Sequence, residues 1–203
     1  MKLSVVIPTY GRRDFLERAL RSLAKQENPP AFEVIVVEDG ADAGMAEFVV
    51  SLTPPFAHRI VVHPKSRGRA ATRNSGIALA QGNVVVFLDG DMEVVPGFLA
   101  AHAAAHAPGA AADRIVALGN IVTAAEIPRT SFVRYIDTRG VHKVRPGEAI
   151  PSRYFMTGNS SVAAALLRQA GGFDEDFHEY GGEDTEMGYR LAAHGGEFVF
   201  ARG

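Results

Sequence analysis

Val84-Val85-Val86-Phe87-Leu88 is apolar at every position, begins on β-branched residues and stops abruptly on Asp89-Gly90-Asp91. A run that is apolar on both alternating faces belongs inside a parallel sheet, covered above and below, rather than in a half-exposed hairpin. In open α/β sheets the carboxyl ends of the strands form the ligand-binding edge. The acidic pair is therefore expected at that edge.

The preceding sequence supplies the rest of such a sheet. Leu3 to Ile7 reads as a first strand closed by Pro8, and Asp14 can open a helix with Phe15, Leu16, Ala19, Leu20 and Leu23 on one face. Val34 to Val37 is a second strand running into Glu38-Asp39-Gly40. A weaker helix over Met45 to Leu52 ends at Pro54-Pro55, and Ile60-Val61-Val62 gives a third strand. Lys65-Ser66-Arg67-Gly68-Arg69 is a small basic loop before a helix from Ala70 to Ala80, with Gly82 as its carboxyl cap. This alternation predicts βαβ units with right-handed crossovers, hence an α/β fold with helices on both faces of a mostly parallel central sheet. Its edge would gather Pro8-Thr9-Tyr10, Glu38-Asp39, the Arg67 to Arg73 loop and Asp89-Gly90-Asp91.

After Met92 the pattern changes. Pro96 fits the first turn of a helix reaching about Ala107, Ile115 to Leu118 reads as a strand, Val162 to Ala170 as a helix stopped by Gly171-Gly172, Asp184 to Ala193 as another helix, and Phe198 to Ala201 as a last strand. Residues 128–153 show no sustained period. They carry Arg129, Arg134, Arg139, Lys143, Arg145 and Arg153 against Asp137 and Glu148. This basic excursion is either a solvated loop or a surface for an anionic acceptor or a membrane.

With 203 residues, 47% of them hydrophobic, the chain can bury the core of one good-sized domain. A formal charge of −2 and the absence of a basic arm argue against nucleic acid as a partner. With no cysteine, disulfides, thiolate metal sites and cysteine nucleophiles are excluded. The apolar stretch at Leu3 to Ile7 is too short for a signal peptide, and no run approaches a membrane span, so a cytoplasmic location is expected.

Two carboxylates at i and i+2 on one turn repel each other unless a proton or a cation sits between them. Mg²⁺ or Mn²⁺ suits the position, because Mg²⁺ commonly takes only one or two protein carboxylates and completes its shell with phosphate and water. Asp-x-Asp alone is a weak signal, and the buried strand before it strengthens it. Arg67, Gly68 and Arg73 bring positive charge and a flexible backbone to a helix start, where free N–H groups attract a diphosphate. Arg69 reads as a solvent-facing helix residue. Asp39 fits either an acceptor for a base or ribose or an Asx turn stabilised by Gly40. Gly181-Gly182-Glu183-Asp184-Thr185-Glu186 opens a helix. Asp184 is either its N-cap or a general base beside a diphosphate ester. His102 and His106 have the i, i+4 spacing of zinc ligands, but an alanine-rich helix without a third ligand argues for coincidence. No Gly-x-Gly-x-x-Gly, Walker loop or Gly-x-Ser-x-Gly elbow occurs.

Val5 to Tyr10 with Arg12, Val36 to Gly40, Ala71-Thr72-Arg73-Asn74-Ser75-Gly76, Phe87 to Asp91, Gly171 to Glu175 and Gly182-Glu183-Asp184 together resemble glycosyltransferase family 2, across nearly the whole chain. The resemblance implies a single GT-A domain over residues 1–203, with a Rossmann-like nucleotide-sugar-binding half (1–95) and a smaller acceptor half (96–203). It implies inverting transfer from a nucleotide-diphospho-sugar, a UDP-sugar first among them, to a hydroxyl of a saccharide acceptor, with Mn²⁺ or Mg²⁺; the basic 128–153 segment adds a lipid-linked acceptor and peripheral membrane contact as expectations.

By the same resemblance, Pro8, Thr9, Tyr10 and Arg12 would line the nucleotide, Asp39 would bond the base, and Gly68 and Arg73 would sit in the nucleotide pocket. Asp89 and Gly90 would face ribose and metal, Asp91 would bind the metal, and Asp184 would be the general base, with Glu183 orienting acceptor or donor. Gly158-Asn159 would lie near the transferred sugar, and Arg168 matches a basic position in that region. Two departures stand out. Glu38-Asp39-Gly40-Ala41 replaces the more usual paired Asp followed by Ser, and the chain stops at Gly203 before the His that usually completes the metal shell, as a truncated form would. The alternatives are a donor-binding module without turnover, or a nucleotidyltransferase, which expects a Gly-rich loop where Pro8-Thr9-Tyr10 stands.

Overall fold

The computed structural model describes every residue except 108, 110, 111, 139, 146, 147, 178–180 and 203. Its first part alternates strand and helix as expected: β1 (Lys2–Thr9), α1 (Arg13–Leu23), β2 (Ala31–Glu38), α2 (Met45–Ser51), β3 (Ala57–Val62), α3 (Arg69–Leu79) and β4 (Val84–Phe87). There follow α4 (Phe98–Ala105), β5 (Ile115–Leu118), α5 (Ser131–Ile136), β6 (Ser160–Ala163), α6 (Ala164–Ala170), α7 (Glu183–Ala193) and β7 (Glu197–Phe200). Among the described residues the strands form one seven-stranded sheet in the order β3-β2-β1-β4-β6-β5-β7. Neighbours pair in parallel except β6, which runs antiparallel to both β4 and β5.

Each central strand buries both faces, which is why its sequence is a continuous apolar run rather than an alternation. On one face Val6, Val85, Phe87, Val116 and Val162 pack with Leu166, Leu167, Met187 and Leu191 of α6 and α7. On the other, Leu3, Val5, Ile7, Val34, Val36, Val84 and Val86 pack with Leu16, Leu20 and Leu23 of α1 and Leu99 of α4. Phe87 is edge-on to Phe155 (6.4 Å) and to Phe173 (5.5 Å), so the strand that leads into the acidic turn is fixed by aromatic rings from two later loops.

Three expectations need correction. Ala80, not Gly82, is the carboxyl cap of α3. The segment Val162 to Ala170 is not helical throughout, because Ser160–Ala163 forms β6 and the helix starts at Ala164. The sequence reads as helix because its alanines suit one, but the gap between β4 and β5 takes Ser160–Ala163 as a strand, and tertiary pairing overrides local preference. The 128–153 segment is not wholly irregular. It contains α5, whose N-cap Thr130 accepts from the Val133 amide (3.2 Å), and 3₁₀ turns at Gly140–Lys143 and Ser152–Tyr154. Phe132, Tyr135 and Ile136 on α5 are exposed. Arg139 of the basic excursion lies outside the described residues.

His102 and His106 are buried and turned toward β6. The Asn159 amide donates to Asn120 O (2.9 Å), so its Oδ1 accepts from His102 Nε2 (2.9 Å). The neutral ring's Nδ1 then accepts from the Ser161 hydroxyl (2.8 Å), whose oxygen accepts from His106 Nε2 (2.9 Å). Burial pushes both rings down to about 4, and the neighbouring His102 lowers His106 further. Above the unfolded value of 6.5 both states are neutral. Below it the unfolded chain binds protons first, so stability is lost as pH falls from 6.5 towards 4. We expect a loss of about 3 kcal/mol or more across that window. Urea unfolding at pH 7 and 4.5 should show it, with a much smaller change in a variant carrying His102→Gln and His106→Gln.

Candidate active site

Strand order reverses between β1 and β4, and the cleft opens there. Leu88 still donates to Val6 O (3.2 Å). The chain then turns through Asp89–Met92, closed by Met92 N–H to Asp89 O (3.1 Å). Gly90 permits this, because a Cβ on it would lie 2.9 Å from Pro8 O. The turn therefore rests directly on the end of β1. The cleft is about 700 Å³, a volume suited to a small ligand, and is lined by Pro8, Thr9, Tyr10, Arg12, Asp39, Gly68, Arg73, Asp89, Gly90 and Asp91, all expected from the sequence. Ser66, Thr72, Met92 and Phe15 line it as well. So does Arg69, which was expected to face solvent away from the site; it is exposed, yet it stands on the first turn of α3, whose amino end forms the cleft wall.

The paired acids ending β2 do different things. Glu38 is fully buried, and its carboxylate accepts from the amides of Gly11 (3.0 Å), Ala41 (2.9 Å) and Asp42 (3.3 Å). It ties the loop after β1 to the loop after β2 and offers nothing to a ligand. Asp39 is 7% exposed. Its Oδ1 accepts from Arg67 N–H (2.9 Å) and faces His63 Nδ1 (2.9 Å), while Oδ2 accepts from Ser66 Oγ (2.6 Å) and Gly68 N–H (3.1 Å). Burial opposes the charge, but donation from Ser66, the Arg67 amide and His63 prevails and holds Asp39 below the usual carboxylate range.

Arg73 is the hub of the cleft floor. Buried to 4% exposure, its guanidinium donates to Asp89 Oδ1 (3.1 Å) and Glu183 Oε1 (3.3 Å) and lies 3.8 Å from Asp184 Oδ1, with the Phe173 ring 5.7 Å away. These carboxylates come from the end of β4 and the start of α7, so one residue of α3 joins three elements. Asp184 is not the N-cap of α7; Gly182 holds that position. The Asp184 carboxylate instead accepts from the Thr157 amide (3.1 Å) and hydroxyl (3.2 Å). Burial raises its pKa above the ordinary value. Arg73 and the Thr157 amide pull the other way without cancelling that, and Glu183 and Asp89 add to the rise.

Gly158 lies against this group, since a Cβ there would be 3.4 Å from Asp89 Oδ2. Asn159 does not join it. Alternation along the extended chain turns its side chain to His102 and Asn120, beside a second depression lined by Phe98, His102 and Phe200. Arg168 is exposed on the last turn of α6 and is not among the lining residues of the cleft. Thr157, Ser66 and Phe173 were missed as functional candidates, because each acts through a contact far away in sequence.

Asp89 and Asp91 offer hard carboxylate oxygens. Asp89 has one oxygen on Arg73 and a side chain 34% exposed, and Asp91 is exposed. Among the described residues no group of three or more His, Cys, Asp or Glu could hold a metal ion. A fully protein-ligated ion does not fit, whereas an Mg²⁺ or Mn²⁺ sharing its shell with diphosphate and water does.

A cleft at the carboxyl edge of a mostly parallel sheet, at the point where strand order reverses, is the ligand-binding position of the open α/β class. Residues 4–164 match the family description "Glycosyl transferase family 2", and residues 140–203 match "N-terminal domain of galactosyltransferase". The chain belongs to glycosyltransferase family 2. It is 35% identical to validoxylamine A glucosyltransferase of Streptomyces hygroscopicus subsp. limoneus, over 95% of this chain and 48% of that protein. The crystal structure of S. aureus TarS 1-349 in complex with UDP-GlcNAc superimposes with a TM-score of 0.75 at 21% identity, covering 98% of this chain and 56% of that one. Mannosyltransferase PcManGT from Pyrobaculum calidifontis, in complex with GDP-Man and Mn²⁺, gives 0.73 at 21% identity, over 98% and 54%. These neighbours show the GT-A fold. The chain spans about half the length of the first curated relatives it matches.

Proposed function

We propose that the chain carries the catalytic domain of an inverting glycosyltransferase that moves a sugar from a nucleotide-diphospho-sugar, with UDP-sugars the first candidates, to a hydroxyl of a saccharide or lipid-linked acceptor. The observation that carries this reading is the convergence of Asp89, Glu183 and Asp184 on Arg73, which together with Asp89 lines the cleft. In this reading residues 1–95 hold the nucleotide and 96–203 face the acceptor. Asp184 takes the proton of the acceptor hydroxyl as its oxygen bonds to the anomeric carbon, and the bond to the diphosphate breaks with its electron pair leaving on phosphate oxygen. Burial raises the pKa of Asp184 above the ordinary carboxylate value, the direction that makes it a stronger base. Thr157 and Arg73 aim its carboxylate, and Glu183 orders Arg73.

Asp91 and Asp89 would hold a divalent cation, which supplies charge neutralisation for the departing nucleoside diphosphate. The amino end of α3, where the helix dipole is positive, forms the same wall, and Arg69 on its first turn lines the cleft there. Among the described residues no helix is long and apolar enough to cross a membrane. A cytoplasmic enzyme touching the membrane surface through exposed Phe132, Tyr135 and Ile136 is part of the same proposal.

Calorimetric titration of UDP and GDP with and without Mn²⁺ tests the donor site. Binding of one of them, strengthened by Mn²⁺ in the wild-type protein and not in Asp91→Ala, is the expected result. No binding of either nucleotide under any condition would overturn the reading, and undiminished Mn²⁺ dependence in Asp91→Ala would remove Asp91 from the metal.

A further inference from the structure

Beside the cleft His63 is a buried side chain that the mechanism does not use. His63 is 5% exposed and lies one residue beyond β3. Its Nδ1 faces Asp39 Oδ1 at 2.9 Å and its Nε2 faces Ser75 Oγ on α3 at 3.0 Å. The ionised Asp39 can only accept, so Nδ1 carries the proton and donates. The Ser75 hydroxyl has two acceptors within reach, His63 Nε2 and Ala71 O (3.0 Å), and one proton to give. It serves Nε2 when the ring is neutral and Ala71 O when the ring is charged. In both cases the Nδ1–H bond to Asp39 persists.

Asp39 grips the loop that follows. Ser66 Oγ, Arg67 N–H and Gly68 N–H all donate to it, and Ser66 and Gly68 line the cleft. We infer that His63 is a positioning residue for nucleotide binding: its Nδ1–H fixes the Asp39 carboxylate, which holds the 66–68 loop as a wall of the cleft. The inference rests on the donor-binding reading above and extends it to a residue that touches no ligand. The His63 backbone is anchored independently, by its N–H to Glu38 O (2.9 Å), so a side-chain change leaves the strand end in place.

Asparagine and glutamine separate the two ends of the ring, since the Asn amide overlays Nδ1 and the Gln amide overlays Nε2. His63→Asn keeps a donor for Asp39, and His63→Gln keeps only the link to Ser75. We expect His63→Gln to weaken UDP or GDP binding about tenfold and His63→Asn to stay within about twofold of wild type. In transfer assays the loss should fall on donor KM with kcat nearly unchanged. Hydrogen exchange gives a readout without nucleotide: the Arg67 and Gly68 amides should exchange faster in His63→Gln than in wild type or His63→Asn. Equal effects of the two variants on affinity, the reverse order, or unchanged protection of those amides would overturn the inference. If wild type binds neither nucleotide, the donor-binding reading fails by itself, and the amide exchange still decides whether His63 holds the loop.

Discussion

Asp184→Asn should lower sugar transfer by about 10²–10⁴-fold, the usual contribution of a general base, while leaving nucleoside diphosphate affinity within about twofold. The substitution preserves shape, and the Asn carbonyl can still accept from the Thr157 amide that now donates to Asp184 at 3.1 Å. Asp184 is also not among the residues lining the nucleotide cleft. What disappears is a carboxylate able to take a proton. The wild-type pH profile carries the same signature. A base is active when deprotonated, and the pKa of Asp184 is raised by burial, so the acid limb of kcat should lie above the pH at which an ordinary Asp would place it. Steady-state kinetics from pH 4 to 8, with calorimetry of the variant, checks both. A variant that transfers sugar at the wild-type rate would exclude Asp184 as the base.

Arg73→Met should destabilise the fold by about 3–5 kcal/mol and abolish activity. Glu183 has a side chain only 6% exposed and meets Arg73 at 3.3 Å, so removing the cation strands a buried negative charge beside Asp89 and Asp184. Arg73→Lys should recover only part of the loss. An ammonium keeps the charge but lacks the planar fork that reaches two carboxylates at once. Guanidinium unfolding of the three proteins at pH 7 measures the difference, and equal stability of Arg73→Met and wild type would deny Arg73 its central place.

Much of this cleft could be read from residue order because the parallel part of the sheet is built locally. Each apolar run of Val and Ile declares a buried strand, and each is followed at once by its edge residues, as in Ile7 to Tyr10, Val37 to Asp39 and Leu88 to Asp91. Less could be read where a residue's role is set by a distant partner. Glu38 and Asp39 are adjacent acids of the same chemistry, yet Glu38 gathers backbone amides from Gly11 and Ala41 while Asp39 grips the 66–68 loop. Nothing in their own spacing separates them. Thr157 lies 27 residues before the carboxylate it orients, and its neighbours give no periodic signal. The strand at Ser160–Ala163 was hidden for a related reason, since it is defined by the vacant edges of β4 and β5 rather than by its own alanines and serines.

The reversed strand β6 also limits how the molecule can move. It pairs with β4 on one side and β5 on the other, and β5 pairs with β7, so the strand that leads into Asp91 and the strand that follows α7 lie in one continuous hydrogen-bonded sheet. A clamshell opening between them would have to shear that ladder, leaving buried backbone groups without partners. Traffic into and out of the cleft is therefore confined to its open mouth, while the carboxylates and Arg73 stay in fixed mutual register.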